Sequence, residues 1–389
     1  DEKFFSDGSP LGAEHVVSSL TNSIRDLGED SRWAFGNIIG FSEFIKNNKL
    51  MKVKGIYHTG NSKVVFEFEH PTPYFIKILT GPYFSIYKKA SKIIIGSGPY
   101  KFKYMKKEGV YLERNSIYKA KFEGPSRLLF TSNKPTDEDI NLTRETKNKD
   151  LLKENFPYLQ SVILIFNTLD PQFMDPQSRC AFAQEATLVF GQSAYNFTPV
   201  NIGLPLSWSI KRPIDTNTKN DLKNFKNKTI EIVFTNSTAY FDEEKHTEIA
   251  KVLEKNGLKV TFKKLNTHEF IESMKINNFK IALVGFVPDY VHPDAILTPL
   301  LGTNQQFNFS KYSNLILDKI LIDAKSSEDR PKQLELYNKA FQILSSECPV
   351  VFLGSQAGQL YRKKNLYIPS FSSLGFHNID FSKVSGVNN

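Results

Sequence analysis

Cysteine is scarce: Cys180 and Cys348 are the only two among 389 residues, too few for a disulfide framework. No CxxC pair or Cys/His spacing for zinc accompanies them. Their wide separation weighs against a bridge, because a disulfide requires close Cα atoms. Long apolar runs are missing too, since none reaches the roughly 18 residues expected of a membrane-spanning helix. The opening DEKFFSDGSP lacks the basic-then-apolar layout of a secretory signal, so an exported form is expected to have had its signal removed. Also absent are a GxSxG nucleophile elbow, an HExxH pair and a GxxxxGK[ST] phosphate loop. No catalytic residue, cofactor or resident metal is therefore expected. GSGPYK at Gly96 to Lys101 fails the dinucleotide pattern, because a proline follows Gly98 and no third glycine follows in place. It reads as a tight turn into a strand.

What remains is an ordinary globular composition, 40% hydrophobic and 23% charged, long enough for two or three lobes. The formal net charge of +9 is carried by scattered lysines and by runs such as KRPIDTNTKNDLKNFKNK. Without aromatic interleaving or a recognisable module these read as solvated basic loops, and no nucleic-acid partner is expected.

The first part of the chain carries a helix with Val16, Val17 and Leu20 inward, then strands paired around Gly60-Asn61 and Glu108-Gly109. Residues Gly124 to Phe156 are polar with few signals, SVILIFNT reads as a buried strand, and Asp175 to Phe190 as a helix. Asn201 to Asn227 is loop-rich. From Lys228 the pattern becomes β-α-β-α-β: strand TIEIVF, a helix with Ile249, Val252 and Leu253, strand LKVTFKKL, a helix with Phe270, Ile271 and Met274, and strand KIALVGF. Unbroken apolar strands of this kind suit a parallel sheet. Two amphipathic helices follow, the second with Leu334, Tyr337, Phe341 and Leu344 on one side, then the strand PVVFLGS. The tail from Gln356 is expected to be loop-like.

Immediately after KIALVGF comes PDYVHPD. Ligands of open α/β sheets bind beyond the carboxyl ends of the strands, so Asp289 is placed to meet a cationic ligand group; a turn or N-cap role for it is equally open. His292 with Asp289 and Asp294 makes a local cluster short of the three or four converging ligands of a metal site.

The ordered motifs resemble those of the family 5 extracellular solute-binding proteins. FSDGSPLGAEHVVSSL matches the family's F-x-DG-x-P-x-x-A-x-DV-x-x-SL at Phe5, Asp7, Gly8, Pro10, Ala13, Val16, Ser19 and Leu20, with His15 where aspartate is usual. GSGPYKF and YLERNSIY match its GTGPY-x-F and LERN-x-x-Y; ILIFN with Arg179 and Ala181 matches the strand and R-x-A that follow. GFVPDYVHPD matches GW-x-x-DY-x-DP, with Phe286 in place of tryptophan and the acidic residue displaced past Pro293. Leu336, Tyr337, Ala340, Ile343, Leu344 and Pro349 match the closing pattern.

The resemblance implies an α/β, two-lobed periplasmic binding protein-like fold (type II, cluster C-like). Its β-rich first lobe would span 1–165, incomplete at the N-terminus, its α/β second lobe 166–353, and a return segment 354–389. The implied function is an extracytoplasmic protein, periplasmic or at the cell surface with or without a lipid anchor. It would capture a peptide in an interlobe cleft, close by a hinge, and deliver it as a monomer to an ABC permease. Asp289 would meet the ligand's α-ammonium, Gly285, Phe286 and Val287 would offer backbone groups, and Phe286 and Tyr290 would form apolar walls. The alternatives are a non-peptide solute such as a sugar, an opine or a metal chelate, and a receptor or surface protein outside transport.

Overall fold

The structure, a computed structural model, describes residues 3–90, 93–131, 138–141, 148–156, 160–192, 225–226, 228–235, 243–255, 257–355, 358–369 and 379–386. The expected loop between 201 and 227 therefore lies outside the described residues except for 225–226. The chain forms two compact units, one of residues 1–157 with 358–389 and one of residues 158–357.

In the first unit, the helix Ala13–Leu27 buries Val17, Leu20 and Ile24 at helical spacing, with Val16 half-buried beside them. His15 serves the helix start, because its Nδ1 accepts the Gly12 N–H at 3.0 Å and so closes the N-terminal turn. Ile56–Thr59 and Lys63–Phe66 pair antiparallel around Gly60, and Tyr100–Lys106, Gly109–Arg114 and Arg127–Phe130 form a three-stranded antiparallel sheet. Two motifs hold each other, since Asn115 donates from its backbone to Pro99 O and from its side chain to Gly98 O, each at 2.8 Å. GSGPY is thus a turn into a strand.

The tail is not all loop. Gly358–Lys363 is a strand between Leu151–Phe156 and Ile140–Asn141, antiparallel to both. Its sequence, GQLYRK, hides this because only Leu360 is a fully buried aliphatic. The charges are matched instead: Arg362 pairs with Glu154 of the neighbouring strand and donates to Leu366 O at 2.6 Å.

The second unit is the α/β part. Among its described residues, in chain order, are β1 (Ser161–Phe166), α1 (Pro176–Gln192), β2 (Thr229–Thr235), α2 (Glu243–Lys255), β3 (Lys259–Leu265), α3 (Thr267–Lys275), β4 (Ile281–Phe286), α4 (Asp294–Leu301), α5 (Leu315–Ser326), α6 (Arg330–Glu347) and β5 (Val350–Ser355). The sheet order is β3-β2-β4-β1-β5. The β2, β3 and β4 strands are parallel, as the apolar run of β4 predicts, but β1 is antiparallel to both β4 and β5, so the sheet is mixed.

Expected to close the first lobe, with a boundary at 165/166, β1 instead lies inside this sheet, and the units divide at 157/158. All six of its residues are buried because strands flank it on both sides. One face of the sheet carries the core: Phe166, Phe173, Phe182 and Phe225 pack with ring centroids 5.2–6.0 Å apart, next to Ile232, Leu253 and Leu283.

Cys180 and Cys348 form a disulfide with Cα atoms 5.2 Å apart, against the expectation from sequence separation. Packing of α1 against α6 brings them together. Cys348 ends α6 in the left-handed conformation (φ 48°), and Arg179, one residue before Cys180, donates to Glu347 O at 2.9 Å.

Candidate functional site

The apolar run of β4 ends at Phe286, and the chain then leaves the sheet through Val287, Pro288 and Asp289. Along its whole length β4 pairs with β1, from Ile281↔Phe166 to Phe286↔Ser161. With β2 it pairs only over Ile281, Ala282 and Leu283. Among the described residues, the β2-side edge of Val284, Gly285 and Phe286 therefore carries no strand. Such an edge presents backbone N–H and C=O groups to an extended ligand.

Asp289 is half-buried just past this edge. Burial alone raises its carboxyl to about 6; no cation or hydrogen-bond donor stands beside it among the described residues. An ionised carboxylate in that setting lacks compensation, and an incoming cation would supply it.

The residues after Asp289 hold the loop in place. Tyr290 is buried, and its hydroxyl donates to Asp294 Oδ2 at 3.0 Å. Asp294 opens α4, where a carboxylate favours the helix N-terminus, and its other oxygen accepts from Thr298 Oγ1. His292 Nδ1 accepts the Asp294 N–H at 3.2 Å, and its ring lies 6.2 Å from Tyr290 and 6.1 Å from Tyr337. His292 and Asp294 are thus engaged with their own loop, and no metal-holding cluster occurs among the described residues.

Of the residues singled out from sequence, Gly285, Phe286, Val287 and Asp289 come together at the carboxyl end of β4, all half-buried. Phe286 meets Phe307 edge-on at 5.9 Å. Tyr290 differs from its expected part as an apolar wall, because its ring and hydroxyl face inward and anchor the loop. Gln160, just before β1, and Ser161, which opens it opposite Phe286, were not singled out from sequence. Two polar residues before VILIF give only the signal of a strand boundary.

No helix among the described residues is long and apolar enough to cross a membrane. A family profile described as bacterial extracellular solute-binding proteins, family 5 Middle, matches residues 1–131. The probable di/tripeptide-binding protein 5 of Pseudomonas aeruginosa (strain UCBPP-PA14) is 22% identical over an alignment of 396 residues, covering 88% of this chain and 74% of its own. The murein tripeptide binding protein MppA of Escherichia coli superposes with a TM-score of 0.73 at 19% identity, over 100% of this chain and 86% of that one. NikZ from Campylobacter jejuni, in complex with Ni(L-His), gives 0.74 at 16% identity, over 99% and 86%. These two likenesses establish the two-lobed α/β fold of periplasmic binding proteins. The profile match makes residues 1–131 similar to the family 5 extracellular solute-binding proteins, and the Pseudomonas relative extends a weaker similarity over most of the chain.

Proposed function

We propose that this protein captures peptides with a free amino terminus outside the cytoplasmic membrane and hands them, as a monomer, to an ABC permease. Asp289 carries the reading: it is a half-buried carboxylate at the carboxyl end of a sheet strand, with no cation or donor beside it among the described residues. A ligand ammonium there makes a charge-assisted bond worth about 1.5 to 3 kcal/mol. The open edge at Val284–Phe286 offers the backbone of an extended peptide its partners, and Phe286 offers an apolar surface. The di/tripeptide binding named for the Pseudomonas relative supports the same ligand class. The Cys180–Cys348 disulfide supports an extracytoplasmic site, since such bonds persist in oxidising compartments. The role is binding, not catalysis.

A second reading keeps the site and changes the ligand. NikZ shares the fold and holds a nickel–histidine complex, so a metal chelate carrying an amine is the competing solute.

Native mass spectrometry of the purified protein separates the two. A ladder of peptide masses supports the first reading, and a single non-peptide mass supports the second. Asp289→Asn should weaken binding of free-amine peptides by about 10- to 100-fold, following the charge-assisted bond it removes, without lowering thermal stability. Equal affinity of the two proteins would remove Asp289 from the site.

A further inference from the structure

We propose that Gln160 and Ser161 form a second, neutral subsite that accepts hydrogen bonds from N–H groups of the same ligand. The inference deepens the peptide reading and rests on it. Ser161 is fully buried and Gln160 is 6% exposed, yet neither Ser161 Oγ nor Gln160 Oε1 has a hydrogen-bond partner among the described residues. Buried polar atoms are rarely left so, because the lost hydration is then uncompensated. Two such atoms on consecutive residues point to a partner from outside the chain.

Their place in the sheet selects that partner. Ser161 opens β1, paired with Phe286 of β4 on one side and with Ser355 of β5 on the other. Because β1 runs antiparallel to its neighbours, its first residues lie at the carboxyl ends of β4 and β5, the end that carries Asp289. Side chains alternate along a strand, and Val162, Leu164 and Phe166 belong to the core cluster. Ser161 therefore shares the opposite face with its cross-strand partner Phe286.

Asp289 follows Phe286 by three residues, so its Cα lies at most about 15 Å from that of Ser161, counting the strand spacing and three extended residues. An extended peptide advances about 3.4 Å per residue. A ligand whose ammonium meets Asp289 thus brings an N–H to Gln160 or Ser161 within two to four residues. Gln160 Oε1 can only accept, so the partner it lacks is an N–H or O–H donor. The subsite distinguishes a short peptide from a simple amine, which satisfies Asp289 alone.

The test uses the full chain and three variants: Gln160→Met and Ser161→Ala, which remove the orphaned atoms with little change of volume, and Asp289→Asn. The probe is an equimolar mixture of tripeptides with free amino termini, titrated by native mass spectrometry, with urea midpoints measured on the ligand-free proteins. Gln160→Met and Ser161→Ala are each expected to weaken tripeptide binding by about five- to tenfold, the effect of one hydrogen bond. Their urea midpoints should stay level or rise, because an unsatisfied buried group has gone. Wild-type affinity in both variants overturns the proposal, and so does a lowered midpoint with affinity unchanged, which marks atoms satisfied by resident water. If only Asp289→Asn loses binding, this inference fails while the peptide reading stands. If the wild type retains no tripeptide, the peptide reading fails and takes the inference with it.

Discussion

In the proposed function, a single carboxyl group links ligand binding to pH. Burial raises Asp289 from 3.8 to about 6, so the folded protein holds a proton there that the unfolded chain releases near pH 4. Its contribution to stability is present below about pH 4 and is lost as pH rises to about 6; fully expressed, the loss is on the order of 3 kcal/mol. Asp289→Asn removes that titration. The variant should be more stable than wild type above pH 6 and equal to it near pH 4, as urea midpoints across that range will show. Binding runs the other way, because only the ionised form pairs with an ammonium. Affinity for a free-amine peptide should fall about tenfold per pH unit below about 6, and Asp289→Asn should lose that slope. Wild-type affinity that stays flat from pH 7 to pH 4.5 would rule out an ionised Asp289 in the complex. The place of Asp289 just past β4 was legible in sequence because an acidic loop directly followed an unbroken apolar strand. Gln160 and Ser161 were not, because nothing in a linear pattern shows that a polar group at a strand boundary is buried without a partner.

At the scale of elements, the loop between β4 and α4 is set by buried polar bonds. Tyr290, Asp294 and Thr298 tie the loop to the first turn of the helix, and this fixes the segment that carries Asp289. Tyr290→Phe removes the donor to Asp294 Oδ2 and should cost about 1 to 3 kcal/mol in urea unfolding. Its effect on peptide affinity should be smaller than that of Asp289→Asn. Lost affinity with stability kept would place Tyr290 on the ligand's side. The same preference for polar satisfaction explains where periodicity misled. On α6 the apolar pattern singles out Leu334, Tyr337, Phe341 and Leu344; Tyr337 and Leu344 are buried, but Gln333 and Ala340 take the other buried positions and Leu334 and Phe341 are half-buried. Gln333 takes its place inside because its side chain donates to Ala324 O at 3.1 Å, serving a carbonyl near the end of α5. Ile271 and Val252 are likewise 41% and 39% exposed, so hydrophobic identity gave the correct helix and overstated its buried arc. Helices and parallel strands were readable because each carries a local period; the strand at Gly358–Lys363 was not, because cross-strand pairing between Arg362 and Glu154 replaces apolar alternation.

Over the whole chain, the feature least visible in sequence is the closure of the second unit on itself. Its sheet takes β1 from the start of the segment and β5 from the end, and sets them side by side. The disulfide fastens the same two regions, with a sequence separation of 168. Long separation argues against contact only when the fold is unknown; once β5 returns beside β1, α1 and the end of α6 are neighbours. Cross-linking so long a loop restricts the unfolded chain, and removing the bridge should cost about 2 to 5 kcal/mol. Cys348 complicates the measurement, because its left-handed φ of 48° is itself unfavourable for a residue with a Cβ. Two double variants separate the effects. Cys180→Ala with Cys348→Ala loses the bridge and keeps the strained position. Cys180→Ala with Cys348→Gly loses the bridge and relieves the position, glycine being the residue most often found at such a helix end. Urea unfolding should place both below wild type, with the glycine variant about 1 kcal/mol above the alanine one. If the bridge is the larger effect, dithiothreitol lowers the wild-type midpoint toward the alanine variant and leaves both variants unmoved. A wild-type midpoint indifferent to reductant would show that packing of α1 on α6, and not the covalent link, holds the unit closed.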